Sequence, residues 1–131
     1  PASGAVLAGV LSPDRTTILN TEEIMISHFV RQNIGFMSNT TIGIVITNAA
    51  LTKSQATKVA SMAHNGYARS IRPAHTMLDG DTLFTVATGQ MPADISVVGM
   101  LSAKAVQQAV ISAVRRAGTH LGFPCSRELA M

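Results

Sequence analysis

The residues best suited to chemistry stand at the start of a β-branched run, where Asn39 precedes Thr40. A threonine hydroxyl needs a base to become a nucleophile at neutral pH, and an α-amino group, with an ordinary pKa of about 7.7–8.0, suits that task. If the Asn39–Thr40 bond breaks, Thr40 carries both groups. Before that, its hydroxyl can attack the Asn39 carbonyl and form an ester that water hydrolyses. The pattern predicts autocleavage between Asn39 and Thr40, although adjacent threonines are also typical of the first residues of a strand.

Two carboxylates follow in Asp79-Gly80-Asp81, just before the apolar run that begins at Leu83. Alternate residues of an extended chain face the same way, and glycine lets the backbone approach closely, so both carboxylates can point at one place. There they can orient a hydroxyl and an ammonium group. The same tripeptide is also typical of a solvated turn or a calcium loop, but the spacing of an EF-hand does not follow it.

Four stretches, in order, carry a family resemblance: Thr40 to Ala49, Leu51 to Ala56, Met62 to Arg69 and Ile71 to Thr82. Together they resemble the L-aminopeptidase/D-esterase family, which includes β-peptidyl aminopeptidases and nylon-oligomer hydrolases. In this resemblance Thr40 matches the nucleophile that autocleavage exposes. Asp79 and Asp81 match the acidic pair that assists it in the nylon-oligomer branch, whereas the β-aminopeptidase branch has a serine and a glutamate there.

The resemblance also implies an architecture and an assembly. The fold is expected to be α/β, a four-layer α-β-β-α sandwich of the autoprocessed aminopeptidase/ornithine acetyltransferase type, with the strand that begins at Thr40 in a central position. Residues 1–39 would be the end of an α-subunit segment with its cleavage linker, and residues 40–131 the β subunit. Expected partners are the remainder of the α subunit, which brings an oxyanion-hole asparagine, and further copies in a homo-oligomer of αβ units.

Three functions follow from this comparison. The first is an amidohydrolase or aminopeptidase that cleaves small peptides or amino-acid oligomers through an acyl-enzyme on Thr40, without a cofactor. The second is an acyl transferase, because ornithine acetyltransferases share the fold and an autocleaved threonine, although their motifs around the cut differ. The third is a non-catalytic subunit, which predicts no cleavage at Asn39.

The composition also bears on core formation, nucleic-acid binding, metal binding and the cellular compartment. With 131 residues and 47% apolar residues the chain can bury a core. Its net charge of +3 comes from scattered basic residues without interleaved aromatic residues, so we expect no nucleic-acid site. The lone Cys125 favours a reducing, cytoplasmic compartment and a buried or tail thiol. The four histidines lack metal-ligand spacing, so no metal site is expected; His75 draws attention because it lies close to Asp79 in sequence.

The apolar and turn patterns predict an order of elements with helices packed on a sheet. The region from Gln32 to Thr52 is uncharged, but polar residues interrupt it too often for a membrane helix. The predicted elements are a helix from Asn20 or Thr21 to Gln32, a connection from Ile34 to Asn39, a buried strand from Ile42 to Asn48, a helix capped by Thr52 and Gln55 and ended by Pro73, a strand from Thr82 to Thr88, a helix from Val97 to Ala117 and a tail from Thr119.

Overall fold

The computed structural model describes residues 5–29 and 39–129. Their elements are, in order, α1 (Thr21–Phe29), β1 (Ile42–Ala49), α2 (Lys53–Ala63), α3 (Asn65–Ser70), β2 (Thr82–Met91) and α4 (Ile95–Arg116). The predicted mixed α/β class is confirmed. The described residues group into two compact units, one of residues 39–109 and one of residues 5–29 with 110–129.

Strands β1 and β2 form a parallel pair, which requires a crossover, and α2 and α3 supply it. The register keeps a constant offset of 40 positions, from Ile42 opposite Thr82 to Thr47 opposite Ala87. An isolated parallel bridge between Asn39 and Asp79 extends the same offset before the strands begin. This register brings the predicted cleavage point beside the acidic tripeptide.

Only one face of β1 is covered, so the prediction of a buried strand from Ile42 to Asn48 is correct for that face and wrong for the other among the described residues. Val45 and Ala49 are buried, whereas Ile42 and Ile46 are 72% and 70% exposed. The same uncovered face of β2 carries Phe84, which is also exposed. A continuous apolar run is typical of a strand covered on both sides. Here helices cover one side, and the other side is open among the described residues.

Strand β2 continues past its predicted end at Thr88 as far as Met91. The register shifts between Thr47 and Ala49 on the partner strand, and Gly89 takes a φ of +76° in the shifted region. Glycine adopts this conformation without steric cost, so the strand bends there instead of ending.

The crossover helices start as predicted but divide. Thr52 and Gln55 form the expected capping box: the Gln55 N–H donates to the Thr52 hydroxyl at 3.3 Å, and the Thr52 N–H donates to the Gln55 side chain at 2.8 Å. The single predicted helix is interrupted at His64, where α3 begins. Gly66 permits close packing on α4, because a Cβ there would lie 2.5 Å from the Ala103 carbonyl oxygen.

Helix α4 begins two residues before the predicted Val97, because Asp94 caps it: the Val97 N–H donates to the Asp94 carboxylate at 3.0 Å. Its apolar pattern predicts an inner face of Ala105, Val106, Ala109, Val110 and Ala113, which is partly wrong for this helix. Its buried residues are Gly99, Ser102, Ala103 and Val106, whereas Ala105, Ala109 and Ala113 are exposed. Small residues face inward because Met62 and Gly66 approach this stripe closely. By length and composition alone α4 is apolar enough to cross a membrane, a test that core helices of globular proteins also pass.

The second unit contains α1 and the chain after α4. The Asn20 side chain accepts from the Glu22 N–H at 3.1 Å, which confirms the predicted cap. The predicted residues of this helix after Phe29, and the connection over positions 34–38, lie outside the described residues. The expected tail packs within its own unit, since Cys125 and Leu129 are buried. The buried state of Cys125 agrees with its prediction.

Candidate active site

The parallel register sets Thr40 beside Gly80 and Thr41 beside Asp81. A Cβ at Gly80 would lie 2.7 Å from the Thr40 Oγ1, closer than side chains approach one another, so only glycine leaves room for this hydroxyl. Thr40 itself is exposed. Side chains alternate between the faces of a strand, so Thr40 points to the face that carries the exposed Ile42. The proposed nucleophile is therefore open on that side among the described residues.

The peptide group before Thr40 is held by the chain around Gly80. The Gly80 N–H donates to the Asn39 carbonyl oxygen at 2.9 Å, and the Asn39 N–H donates to the Leu78 carbonyl oxygen at 3.2 Å. One residue further on, the Thr82 N–H donates to the Thr41 carbonyl oxygen at 2.9 Å. The Asn39–Thr40 bond is thus fixed on both sides by main-chain hydrogen bonds.

Asp81 binds the backbone immediately after the proposed nucleophile. Its Oδ1 accepts from the Thr41 N–H at 2.9 Å, and its Oδ2 lies 3.8 Å from the His75 Nδ1. The Asp81 side chain is only 8% exposed, whereas that of His75 is 41% exposed. A hydrogen bond from a main-chain N–H to a carboxylate is stronger than one between neutral groups, so Asp81 holds Thr41 firmly.

Asp79 has a different partner. Its Oδ2 accepts from the Thr76 N–H at 2.7 Å, while its own N–H donates to the Thr76 carbonyl oxygen at 3.2 Å. These bonds close the turn that leads into β2. With the Asn39–Thr40 bond intact, Asp79 and Asp81 therefore bind two separate backbone groups. Neither donates to nor accepts from the Thr40 hydroxyl in the described hydrogen bonds, and their assistance to Thr40 stays a prediction.

A tyrosine and two histidines form a cluster against Asp81. The ring of His64 meets that of Tyr67 edge-on at 5.6 Å and that of His75 at 5.3 Å. His75 takes a φ of 61°, an uncommon conformation for this residue type, which is often found at functional sites. The cluster consequently connects the crossover helices to the carboxylate that holds Thr41.

The apolar pattern of the crossover helix places Tyr67 on its inner face with Ala56, Val59, Ala60 and Ala63. The position of the Tyr67 hydroxyl is the feature that this pattern does not indicate. The residue is 2% exposed, and its hydroxyl has no hydrogen-bond partner among the described residues. It lies against Gly43, where an added Cβ would overlap it. Burial raises the pKa of Tyr67 above its ordinary value of 10.0, and the negative charge of Asp81 raises it further. A glycine inside an otherwise β-branched strand was the available signal, because such a glycine often marks a close approach.

The arrangement brings together groups that can carry out nucleophilic chemistry. Within residues 5–29 and 39–129, no three side chains of the His, Cys, Asp and Glu types come together as metal ligands would. What the register does assemble is a hydroxyl, a neighbouring carbonyl and a backbone N–H, next to two carboxylates that organise the surrounding chain. These are components of an acyl-transfer site.

Comparison with known proteins places this site in a family. The model of peptidase family S58 matches residues 5–125. An uncharacterised aminopeptidase of Mycobacterium tuberculosis is 40% identical over 106 residues, covering 70% of this chain and 31% of that protein. One from Mycobacterium leprae is 41% identical over 101 residues, covering 66% and 28%. A 6-aminohexanoate-oligomer endohydrolase of Agromyces sp. is 30% identical over 88 residues, covering 57% and 25%.

The chain spans less than a third of the length of each of these relatives. The family match nevertheless includes every residue of the site described above. The names of the relatives also agree with the predicted resemblance to aminopeptidases and nylon-oligomer hydrolases, which is confirmed. The chain belongs to peptidase family S58.

Proposed function

We propose that this chain is part of a self-cleaving amidohydrolase or aminopeptidase in which Thr40 becomes an N-terminal nucleophile. The observation that carries the proposal is the parallel register, which places Thr40 beside Gly80 and next to Thr41, whose N–H binds the Asp81 carboxylate. The substrates would be small peptides or amino-acid oligomers, as the names of the relatives suggest.

In this proposal the reaction has two chemical steps after maturation. The free α-amine of Thr40 accepts the proton of the Thr40 hydroxyl, and the oxygen attacks the carbonyl carbon of the substrate amide. The amine of the substrate leaves with a proton, and the acyl group remains as an ester on Thr40. Water then attacks the ester, releases the acid and restores the hydroxyl.

Asp81 would act first as a positioning residue in this reaction. Its bond to the Thr41 N–H fixes the residue that follows the nucleophile and so limits how far the new N-terminus can move. Cleavage frees the α-amine of Thr40, which becomes an ammonium group when protonated. The nearby carboxylates of Asp81 and Asp79 can then orient that group, as the resemblance implies.

The uncovered face of the sheet supports the four-layer architecture. Ile42, Ile44, Ile46, Phe84 and Val86 are all exposed on that face. Burying apolar surface contributes about 25 cal/mol per Å², so such a face is expected to be covered in the whole protein. A second sheet from the remainder of the α subunit would cover it and would also bring pocket residues to the open side of Thr40. Pairs of α and β subunits would then assemble into a homo-oligomer.

The test compares two adjacent threonines in the full-length protein. Thr40→Ala removes the proposed nucleophile, whereas Thr41→Ala removes the same atoms from the next residue and keeps the N–H that binds Asp81. With a panel of amino-acid amides, small peptides and 6-aminohexanoate oligomers, we expect Thr40→Ala to lose at least about 1,000-fold in activity. Thr41→Ala should stay within about tenfold of the wild type, because it keeps the Thr40 hydroxyl and the backbone N–H that positions it through Asp81.

Two results would count against the proposal. Equal activity of Thr40→Ala and the wild type would exclude Thr40 as the nucleophile. Transfer of the acyl group to an added amino acid, with little hydrolysis, would favour an acyl transferase instead. Product analysis by mass spectrometry separates these outcomes, because hydrolysis adds water to the acyl group and transfer adds the amine acceptor.

A further inference from the structure

Gly80 lies against the two groups that react during maturation, the Asn39 carbonyl and the Thr40 hydroxyl. Its N–H donates to the Asn39 carbonyl oxygen at 2.9 Å, and its α-carbon faces the Thr40 hydroxyl so closely that a Cβ would lie 2.7 Å from the Oγ1. The electrophile and the nucleophile of the proposed self-cleavage thus meet at one residue. The inference below rests on the proposed function, since it concerns the same bond.

We propose that the Gly80 N–H is the oxyanion donor for the self-cleavage of the Asn39–Thr40 bond. The Thr40 Oγ1 forms a bond to the Asn39 carbonyl carbon, and the electron pair of the carbonyl moves onto the Asn39 oxygen. The proton of the hydroxyl passes to the Thr40 nitrogen as the bond between carbon and nitrogen breaks. An ester between Asn39 and Thr40 results, and one water molecule hydrolyses it to the Asn39 carboxylate and the free hydroxyl.

The geometry suits this role because the donor is in place before the charge forms. Donors in an oxyanion hole lie about 2.7–3.1 Å from the position that the oxyanion takes. The Gly80 N–H is already bound at 2.9 Å to the carbonyl oxygen that becomes this oxyanion when the Thr40 hydroxyl attacks. The bond strengthens when its acceptor becomes negative, since hydrogen bonds to charged groups are about twice as strong as neutral ones. The stronger bond therefore lowers the free energy of the tetrahedral intermediate relative to that of the intact peptide bond, and so lowers the barrier to cleavage.

The surroundings of Gly80 keep both contacts in register. The neighbouring bonds of Asn39 to Leu78 and of Thr82 to Thr41 hold the two chain segments on either side. Asp81 binds the Thr41 N–H with its carboxylate. Thr40 therefore sits between two fixed residues, while the absence of a side chain at position 80 leaves room for its hydroxyl.

The test removes only the donor. In the full-length precursor made by cell-free translation, Gly80→glycolic acid replaces the N–H with an ester oxygen and leaves the other atoms unchanged. Loss of one oxyanion donor slows acyl transfer by about 100- to 1,000-fold, so we expect cleavage at Asn39–Thr40 to slow by that factor. Gly118→glycolic acid is the matched control, because it makes the same change at a glycine whose N–H donates none of the described hydrogen bonds. Mass spectrometry distinguishes cleavage at Thr40 from hydrolysis of the introduced ester.

A second measurement avoids a variant at Gly80. Hydrogen exchange of the Gly80 amide is compared between the uncleavable Thr40→Ala precursor and the mature wild type. Cleavage releases the Asn39 carbonyl from the chain, so exchange should be at least about tenfold faster in the mature protein, as expected when a protected amide loses its acceptor. If the ester variant does not fold, this comparison still tests whether the Gly80 N–H is bound to the Asn39 carbonyl before cleavage, which the inference requires.

The outcomes also separate this inference from the proposed function. If the wild-type precursor is never cut, the proposed function fails and the inference fails with it. If the wild type is cut and Gly80→glycolic acid is cut at the same rate, Gly80 is not the oxyanion donor, although Thr40 can still be the nucleophile. A Gly80 amide that exchanges as fast as an unprotected amide in the Thr40→Ala precursor would likewise overturn the inference, because the donor would then not be bound to the Asn39 carbonyl.

Discussion

The close contact between Tyr67 and Gly43 gives a prediction whose size can be worked out from the structure. The Tyr67 hydroxyl is buried without a partner among the described residues, and a Cβ at Gly43 would overlap it. A buried polar group without a partner costs about 1–3 kcal/mol, so Tyr67→Phe is expected to leave the free energy of unfolding unchanged or raise it by up to about 2 kcal/mol.

Gly43→Ala should lower the free energy of unfolding. Overpacking costs about 1–3 kcal/mol, and replacing glycine by alanine inside a strand returns about 0.5–1 kcal/mol, so the net loss is at most about 2.5 kcal/mol. In the Tyr67→Phe background the overlap with the hydroxyl disappears. The remaining neighbour, Leu83, would lie 3.3 Å from the new Cβ and needs to shift only slightly. The two substitutions should therefore couple by about 1–2 kcal/mol.

The assay is a double-mutant cycle in which circular dichroism monitors unfolding by denaturant. All four proteins carry Thr40→Ala, so that they remain uncleaved and comparable. As a control, Gly118→Ala should show no coupling to Tyr67→Phe, because a methyl group there meets nothing within 4 Å. The reasoning is refuted if Gly43→Ala costs the same in both backgrounds. It is also refuted if Tyr67→Phe destabilises the protein by more than about 1 kcal/mol, since that loss would reveal a hydrogen-bond partner.

Three further predictions are tested in the same Thr40→Ala background. Gly66→Ala should lower the free energy of unfolding by about 1–3 kcal/mol, because its methyl would lie 2.5 Å from a main-chain oxygen of α4. The control Gly118→Ala should change it by less than about 0.5 kcal/mol, and equal values for the two variants would contradict the packing of α3 on α4. The free energy of unfolding should fall as the pH rises above 10.0, because Tyr67 loses its proton at a lower pH in the unfolded state than in the folded state, where its pKa is raised. The fall should continue up to the pKa of Tyr67 in the folded state. In unfolding measured as a function of pH, Tyr67→Phe should lack this contribution. Asp81→Ala should destabilise the protein by about 1–3 kcal/mol, because it leaves the Thr41 N–H without its acceptor. Asp81→Asn keeps an oxygen at that position and should cost less. The same thermal unfolding midpoint for both variants would show that the hydrogen bond contributes nothing to stability.

Local signals in the sequence predicted the elements well. The capping box of Thr52 and Gln55 marks the start of α2, and the side chain of Asn20 marks the start of α1. These signals succeed because each depends on residues three or fewer positions apart in the chain. The stripe of α4 that faces inward was harder to predict, since it is chosen by the close approach of Met62 and Gly66 from other helices.

The site was predicted in its parts but not in its arrangement. The residue types at Thr40, Asp79 and Asp81 indicated the chemistry, and Gly80 was expected to allow a close approach. The pairing of Asn39 with Asp79 depends on a parallel register between distant segments, which local patterns do not specify. The bond of Asp81 to the Thr41 N–H follows from that register, whereas Asp79 binds the Thr76 N–H within its own turn.

Autocleavage at a single bond is the central claim of this account, and one measurement tests it most directly. The wild-type full-length precursor is purified and incubated, and its intact mass and new N-termini are determined over time, with Thr40→Ala as the control. We predict a new terminus that reads Thr-Thr-Ile-Gly in the wild type and none in the Thr40→Ala protein. A wild-type chain that stays intact, or one cut equally in both proteins, would contradict the claim.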